Sequence, residues 1–137
     1  MGLFDNIVGE MDSTPNLISE EDLAEVEKAV GAAFGPELRR YILEYGYLGY
    51  EFLELYGVNS IQRLDSDMVT QTLHLHEYFP ATAGYIAIEG DGEIGYWLVD
   101  SGDSVFEFDL DSQEVKPTGK KLFDYIAGRY EYVRSMM

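Results

Sequence analysis

Residues Gly84–Asp111, GYIAIEGDGEIGYWLVDSGDSVFEFDLD, hold three runs of alternating character separated by two turn signals. In the first run Ile86 and Ile88 point to one side, and Tyr85, Ala87 and Glu89 to the other. In the second, Ile94, Tyr96 and Leu98 oppose Gly95, Trp97 and Val99. In the third, Phe106, Phe108 and Leu110 oppose Val105, Glu107 and Asp109. A period of two, bounded by Gly90-Asp91-Gly92 and Ser101-Gly102-Asp103, predicts consecutive antiparallel hairpins. This reading divides the sheet by face. Ile86, Ile88, Ile94, Leu98, Phe106 and Phe108 hold it on helices, while the carboxylates opposite and at the turns meet solvent.

Working outward, Ser19 reads as an N-cap, with Asp22 three residues on as a weaker stand-in for the Glu of a capping box. Leu23, Val26, Val30 and Ala33 form the buried stripe of that helix, which Gly31 or Gly35 ends. Pro36 suits the first turn of a second helix, with Leu38, Tyr41, Ile42 and Tyr45 inward, Glu37, Arg39, Arg40 and Glu44 outward, and Gly46 at its end. Tyr47 to Val58 predicts a strand or hairpin. Asp65-Ser66-Asp67 can cap a third helix over Met68 to Tyr78, stopped by Pro80. Glu114-Val115-Lys116 predicts an edge strand that Pro117 terminates, and Thr118 opens the last helix, with Leu122, Phe123, Ile126, Tyr130 and Val133 apolar. Clustered strands with helices at either end give an α+β fold, one domain with a central antiparallel sheet of about five or six strands. Residues 1–16, with Leu3, Phe4, Ile7, Val8 and Met11 at helical spacing, read as an N-terminal extension or short amphipathic helix before a domain at 17–137.

Composition narrows the function. Twenty-six acidic residues against nine basic ones give a net charge of −17. From Leu64 to Val115 there are twelve Asp or Glu and no Lys or Arg. Nucleic-acid binding rests on cations that replace condensed counterions, and anionic membranes ask for the same sign, so both partners are disfavoured. A basic protein fits best, because complementary fields speed association. There is no cysteine, which suits a reducing cytoplasm. No apolar run approaches the roughly 20 residues of a membrane span, and the first residues lack the pattern of a secretory signal.

Catalytic and metal motifs are weak. His74 and His76 fall on a helix, where i and i+2 diverge by about 200°, so they do not share a metal. Asp109-Leu110-Asp111-Ser112-Gln113-Glu114 lacks the Gly at position 6 and the Glu at position 12 of a calcium loop and reads as a hairpin turn. Glu89-Gly90-Asp91-Gly92-Glu93 has no lysine to serve a phosphate. With no nucleophile motif either, we expect no enzyme, no cofactor and no metal.

The helical opening carries a family signature. Ile18-Ser19-Glu20-Glu21-Asp22-Leu23 leads to Gly35-Pro36-Glu37-Leu38-Arg39-Arg40-Tyr41-Ile42-Leu43-Glu44-Tyr45-Gly46, then Glu54-Leu55-Tyr56-Gly57-Val58 and Phe79-Pro80. The hairpin Gly92-Glu93-Ile94-Gly95-Tyr96-Trp97-Leu98-Val99-Asp100 and the helix Leu122-Phe123-Asp124-Tyr125-Ile126 follow. Over residues 17–132 this resembles the SUKH superfamily of Smi/Knr-type domains. Gly35 departs from the apolar residue usual before the proline, and Tyr47-Leu48 from a Gly-rich pair. The resemblance implies a cytoplasmic bacterial immunity protein that neutralises a cognate toxin, and it brings no catalytic residues. The charge adds that the toxin is basic, such as a nuclease. A regulatory or scaffold module for an endogenous partner is the alternative. Interfaces favour aromatics ringed by charge, which selects Tyr47, Tyr50, Glu51 and Glu54, and a second group of Glu89, Asp91, Glu93, Trp97, Asp100, Asp103, Glu107 and Asp109. A monomer or weak dimer, paired through the edge near Val115, is expected.

Overall fold

Among the residues that the computed structural model describes, 7–13, 18–51, 53–58, 67–90 and 94–137, the chain forms two antiparallel sheets and four α-helices. A 3-10 turn (Val8–Glu10) and β1 (Asp12–Ser13) precede α1 (Glu20–Val30). Next comes α2 (Pro36–Arg40), prolonged by a π-helical turn (Tyr41–Tyr45), then β2 (Leu48–Tyr50), β3 (Leu53–Glu54) and α3 (Met68–Tyr78). A 3-10 turn (Pro80–Thr82) leads into β4 (Ile86–Gly90), β5 (Gly95–Val99), β6 (Ser104–Asp109), β7 (Val115–Lys121) and α4 (Leu122–Ser135).

The α+β class and the order of elements are those expected, but the strands make sheets β1-β2-β3 and β4-β5-β6-β7 instead of one central sheet. The first ladder of the larger sheet carries a bulge. The β4–β5 ladder pairs Ala87 with Leu98 and then Glu89 with Trp97, so Ile88 is passed over. Its carbonyl accepts instead from the Tyr56 N–H at 2.8 Å, a main-chain bond that joins the two sheets. Ile7 and Met11, in the stretch set apart above as an extension, are buried in the common core, and β1 pairs with β2.

Local chemistry explains the helix ends. Ser19 Oγ accepts from Asp22 N, and Asp22 Oδ2 accepts from Ser19 N, the reciprocal cap that the sequence predicts. Gly31 ends α1 at φ 71°, which leaves Ala33 exposed beyond the helix and turns Phe34 inward in its place. The π-helical turn lets Tyr41 and Ile42 both face the core, and Tyr41 Oη donates to Tyr56 O at 2.6 Å. Asp67 caps α3 through Thr70 N. β7 passes straight through Pro117, and α4 begins at Leu122 instead of Thr118. A proline is tolerated there because β7 is an edge strand, with β6 as its neighbour in the sheet.

The larger sheet is covered on both sides, which corrects the division by face. Directly opposed residues share a face, so Tyr96, Phe108, Leu98 and Phe106 lie on one side, and Trp97, Glu107, Val99 and Val105 on the other. Phe79, at the end of α3, packs on Phe108, Tyr85 packs on Phe106, and Thr72 Oγ1 accepts from Ala87 N at 3.0 Å. Tyr125 and Arg129 of α4 meet Trp97 on the far side. Ile94, expected inward, is 68% exposed at the start of β5.

One carboxylate ties these layers together. Asp103, in the β5–β6 turn, accepts from Glu37 N at 2.9 Å and Leu38 N at 3.0 Å, capping α2 from across the fold. Its main-chain carbonyl accepts from Leu122 N at 2.9 Å. Glu37, expected to point outward, turns to α4 and accepts from Phe123 N at 2.7 Å. A Cβ on Gly35 would fall 2.5 Å from the Asp103 carboxylate, so the glycine clears the space for the cap. Asp103→Ala is therefore expected to cost about 2 kcal/mol in urea unfolding, the loss of a helix cap and of bonds to a charged acceptor. Gly35→Ala should destabilise the wild-type chain yet add little in the Asp103→Ala background, where the clash is gone. Additive effects in the double variant would contradict that geometry.

Candidate functional site

Two surfaces combine aromatic and acidic residues. The first is the β2–β3 hairpin. Gly49 pairs with Asp12 of β1 on one side and Glu54 of β3 on the other, so the two carboxylates share a face across the ribbon. The buried Tyr47 lies over Gly49, and a side chain at Gly49 would collide with its hydroxyl. Gly57 leaves room for the same residue, since a Cβ there would come 2.7 Å from Tyr47 Cβ. Tyr50 stacks on Tyr130 of α4 at 4.6 Å, and Tyr130 Oη donates to Glu10 Oε2 at 2.6 Å. Glu51 stands exposed at the turn with φ 53°.

The second surface surrounds Trp97, the only tryptophan in the chain. The guanidinium of Arg129 lies 6.0 Å from the Trp97 ring and 5.4 Å from that of Tyr132, which is 53% exposed. Beneath it, Glu89 takes two bonds from Arg129, at 3.1 and 2.9 Å, and a third from Tyr125 Oη at 2.5 Å. Burial opposes the charge of Arg129, but the hydrogen bonds and charge of Glu89 outweigh it and hold the pKa above its usual value. Beside Trp97, a shallow hollow of about 210 Å³ is bordered by Ile94, Gly95, Glu107 and Asp109.

The remaining predicted residues divide. Asp91 and Glu93 lie outside the described residues. Glu89 and Asp103, expected at the surface, are buried: the first neutralised by Arg129, the second spent as a helix cap. Alternation could not reveal this, because it assumes solvent on one face of the sheet. Asp100 Oδ1 accepts from Gly102 N and Ser104 N, and Asp109 Oδ1 from Asp111 N and Ser112 N, so each carboxylate shapes its own turn while remaining half-buried. Glu107 is exposed, opposite Lys116 on β7. His76 Nε2 is 2.8 Å from Tyr85 O, while His74 packs on Tyr78, so the two histidines serve different neighbours.

A family model described as SMI1-KNR4 cell-wall (SUKH_5) matches residues 4–130. The chain belongs to the SUKH superfamily. No curated protein matches it. The match starts well before residue 17, in keeping with the burial of Ile7 and Met11 in the SUKH core. In this SUKH domain, residues missed by the sequence reading complete both surfaces: Glu10 and Asp12 the first, Arg129 and Tyr132 the second. Tyr125, Arg129 and Tyr132 are spaced i, i+4, i+7, a single helix stripe that could have flagged the second group. Among the described residues no cluster of His, Cys, Asp or Glu is arranged to hold a metal, and no helix is long and apolar enough to cross a membrane.

Three buried tyrosines give the SUKH domain a pH signature. Burial pushes the Tyr41 hydroxyl up, and burial together with Glu89 does the same for Tyr125. The hydrogen bond to Glu10, aided by burial, pushes Tyr130 from the ordinary 10.0 up to about 12. A raised folded-state pKa stabilises fully below the unfolded value and is lost as pH climbs toward the folded one. Stability should therefore hold up to about pH 10 and fall steadily above it. In chemical denaturation at stepped pH, Tyr130→Phe should make the fall between about pH 10 and 12 shallower. An unchanged slope would mean that the Glu10 contact does not hold that proton.

Proposed function

We propose that this SUKH protein is a cytoplasmic immunity protein that binds and neutralises a cognate basic toxin, such as a nuclease, through its acidic surface. It acts by occupation and carries out no catalysis. The observation that carries the reading is the run from Leu64 to Val115, twelve carboxylates without a cation, on a SUKH domain of net charge −17. On a toxin that grips phosphates, carboxylates take the place of the substrate's charges, and complementary fields bring the pair together quickly. Glu51, Glu54 and Glu107 are partly or fully exposed beside aromatic residues, as a recognition surface requires.

Co-expression tests this directly. The product of a neighbouring gene that arrests growth should become harmless when this chain is present. Purified, the two should bind in a salt-dependent way, with association slowing by about tenfold or more between low and high ionic strength. A chain that never relieves toxicity, or a complex indifferent to salt, would overturn the proposal. A regulatory or scaffold role is the second reading, supported by the cell-wall description of the family model. Stoichiometric recovery of one endogenous protein from cells without any toxin gene would favour it.

A further inference from the structure

We infer that the hollow beside Trp97 is the docking centre for a basic segment of the partner, with one apolar side chain seated in the hollow and cations set against its rim. The inference rests on the partner-binding reading above and narrows it to one place. The hollow brings three properties together. It has an opening, about 210 Å³, with room for one large side chain. Its apolar wall is presented to solvent, since Ile94 is 68% exposed. Carboxylates also lie on its border, Glu107 exposed and Asp109 half-buried.

The floor is held rigid from below. Glu89 and Tyr125 fix the Arg129 guanidinium, which lies within 6.0 Å of Trp97 and 5.4 Å of Tyr132. Tryptophan, tyrosine and arginine are the residues most often found to dominate protein interfaces, and fixing them beforehand spares the ordering cost of binding. Arg129 is already neutralised by Glu89, and Lys116, opposite Glu107 on β7, is paired with Glu114 at 3.5 Å, so neither cation stands unpaired against a basic partner. The chemistry selects a cationic, amphipathic segment over an acidic or purely polar one.

Because Trp97 is the sole tryptophan, its emission reports on the hollow alone. The probe is a short end-blocked peptide repeating Leu-Lys-Lys-Leu, with a counterpart carrying glutamate for lysine. The cationic peptide should change Trp97 emission saturably and the acidic one should not. Ile94→Asp and Glu107→Lys should each weaken the response by about tenfold or more, as expected of changes at a binding centre. Glu77→Lys, the same charge change on α3 across the sheet, should weaken it about twofold at most. A missing response, or equal weakening by Glu77→Lys, overturns the inference in favour of diffuse charge. The co-expression assay keeps the two readings apart. If the Ile94→Asp, Glu107→Lys double variant still relieves toxicity, the docking centre is wrong and immunity stands. If the wild-type chain gives no relief, immunity fails whatever the peptide does.

Discussion

The fold depends on the placement of Asp103. Its carboxylate caps α2, its carbonyl receives the first amide of α4, and the glycine before Pro36 is there to admit it. The residue adopts φ 66°, an uncommon conformation for a side chain other than glycine, which costs on the order of 1 kcal/mol. Three hydrogen bonds, two of them to a charged acceptor, more than offset that. Lys121 reinforces the turn by donating to Gly102 O at 2.6 Å. The orphan amides at two helix ends are thus met by one turn of the sheet and by Glu37, not by residues local to each helix. This arrangement couples helices distant in sequence: α2 cannot shift without uncapping itself and α4 together.

The same principle separates the acidic residues into two populations. Glu27 serves the main chain after α1 and Arg39, Asp103 and Glu37 serve helix ends, and Glu89 holds Arg129 and Tyr125. These charges are already bound by amides or cations and contribute little to the outer field. Others among the described acids, such as Glu51, Glu107 and Glu131, face solvent. A net charge of −17 therefore measures more than the surface offers to a partner, and the number of carboxylates in a stretch says less than which of them have been used inside.

What could be read from the chain follows the range of the interactions concerned. Ser19, Asp22 and Asp67 act within one helical turn, and the ends they set were legible. Tyr47 to Val58 was legible as a strand or hairpin. The course of β7 through Pro117 was not, because a proline stops a central strand and not an edge strand, and position in a sheet is a tertiary property. Nor was the bulge at Ile88, where the alternation looks unbroken. Glu89 and Asp103 have the same local pattern as Glu107. Only the packing of α4 over that side of the sheet, and the approach of α2 to the turn, makes them internal. The aromatic and acidic content of the site was therefore legible, and its arrangement was not.

Buried and exposed charges also have separate physical consequences for recognition. Exposed carboxylates act at a distance of several ångströms, are screened by salt, and chiefly set how fast a basic partner arrives. In the proposed docking mode the Trp97, Arg129 and Tyr132 platform would act only in contact, and its contribution would appear mainly in how slowly the partner leaves. Glu89 neutralises Arg129 beside that platform, and Lys116, opposite Glu107, is paired with Glu114. Both carboxylate oxygens of Glu89 and the Tyr125 hydroxyl are engaged in the pair. An interior salt bridge of this kind is weak evidence for stability, because desolvation cancels much of the attraction. Its value here lies in position: it fixes the Arg129 guanidinium against the half-buried Trp97 and the exposed Tyr132.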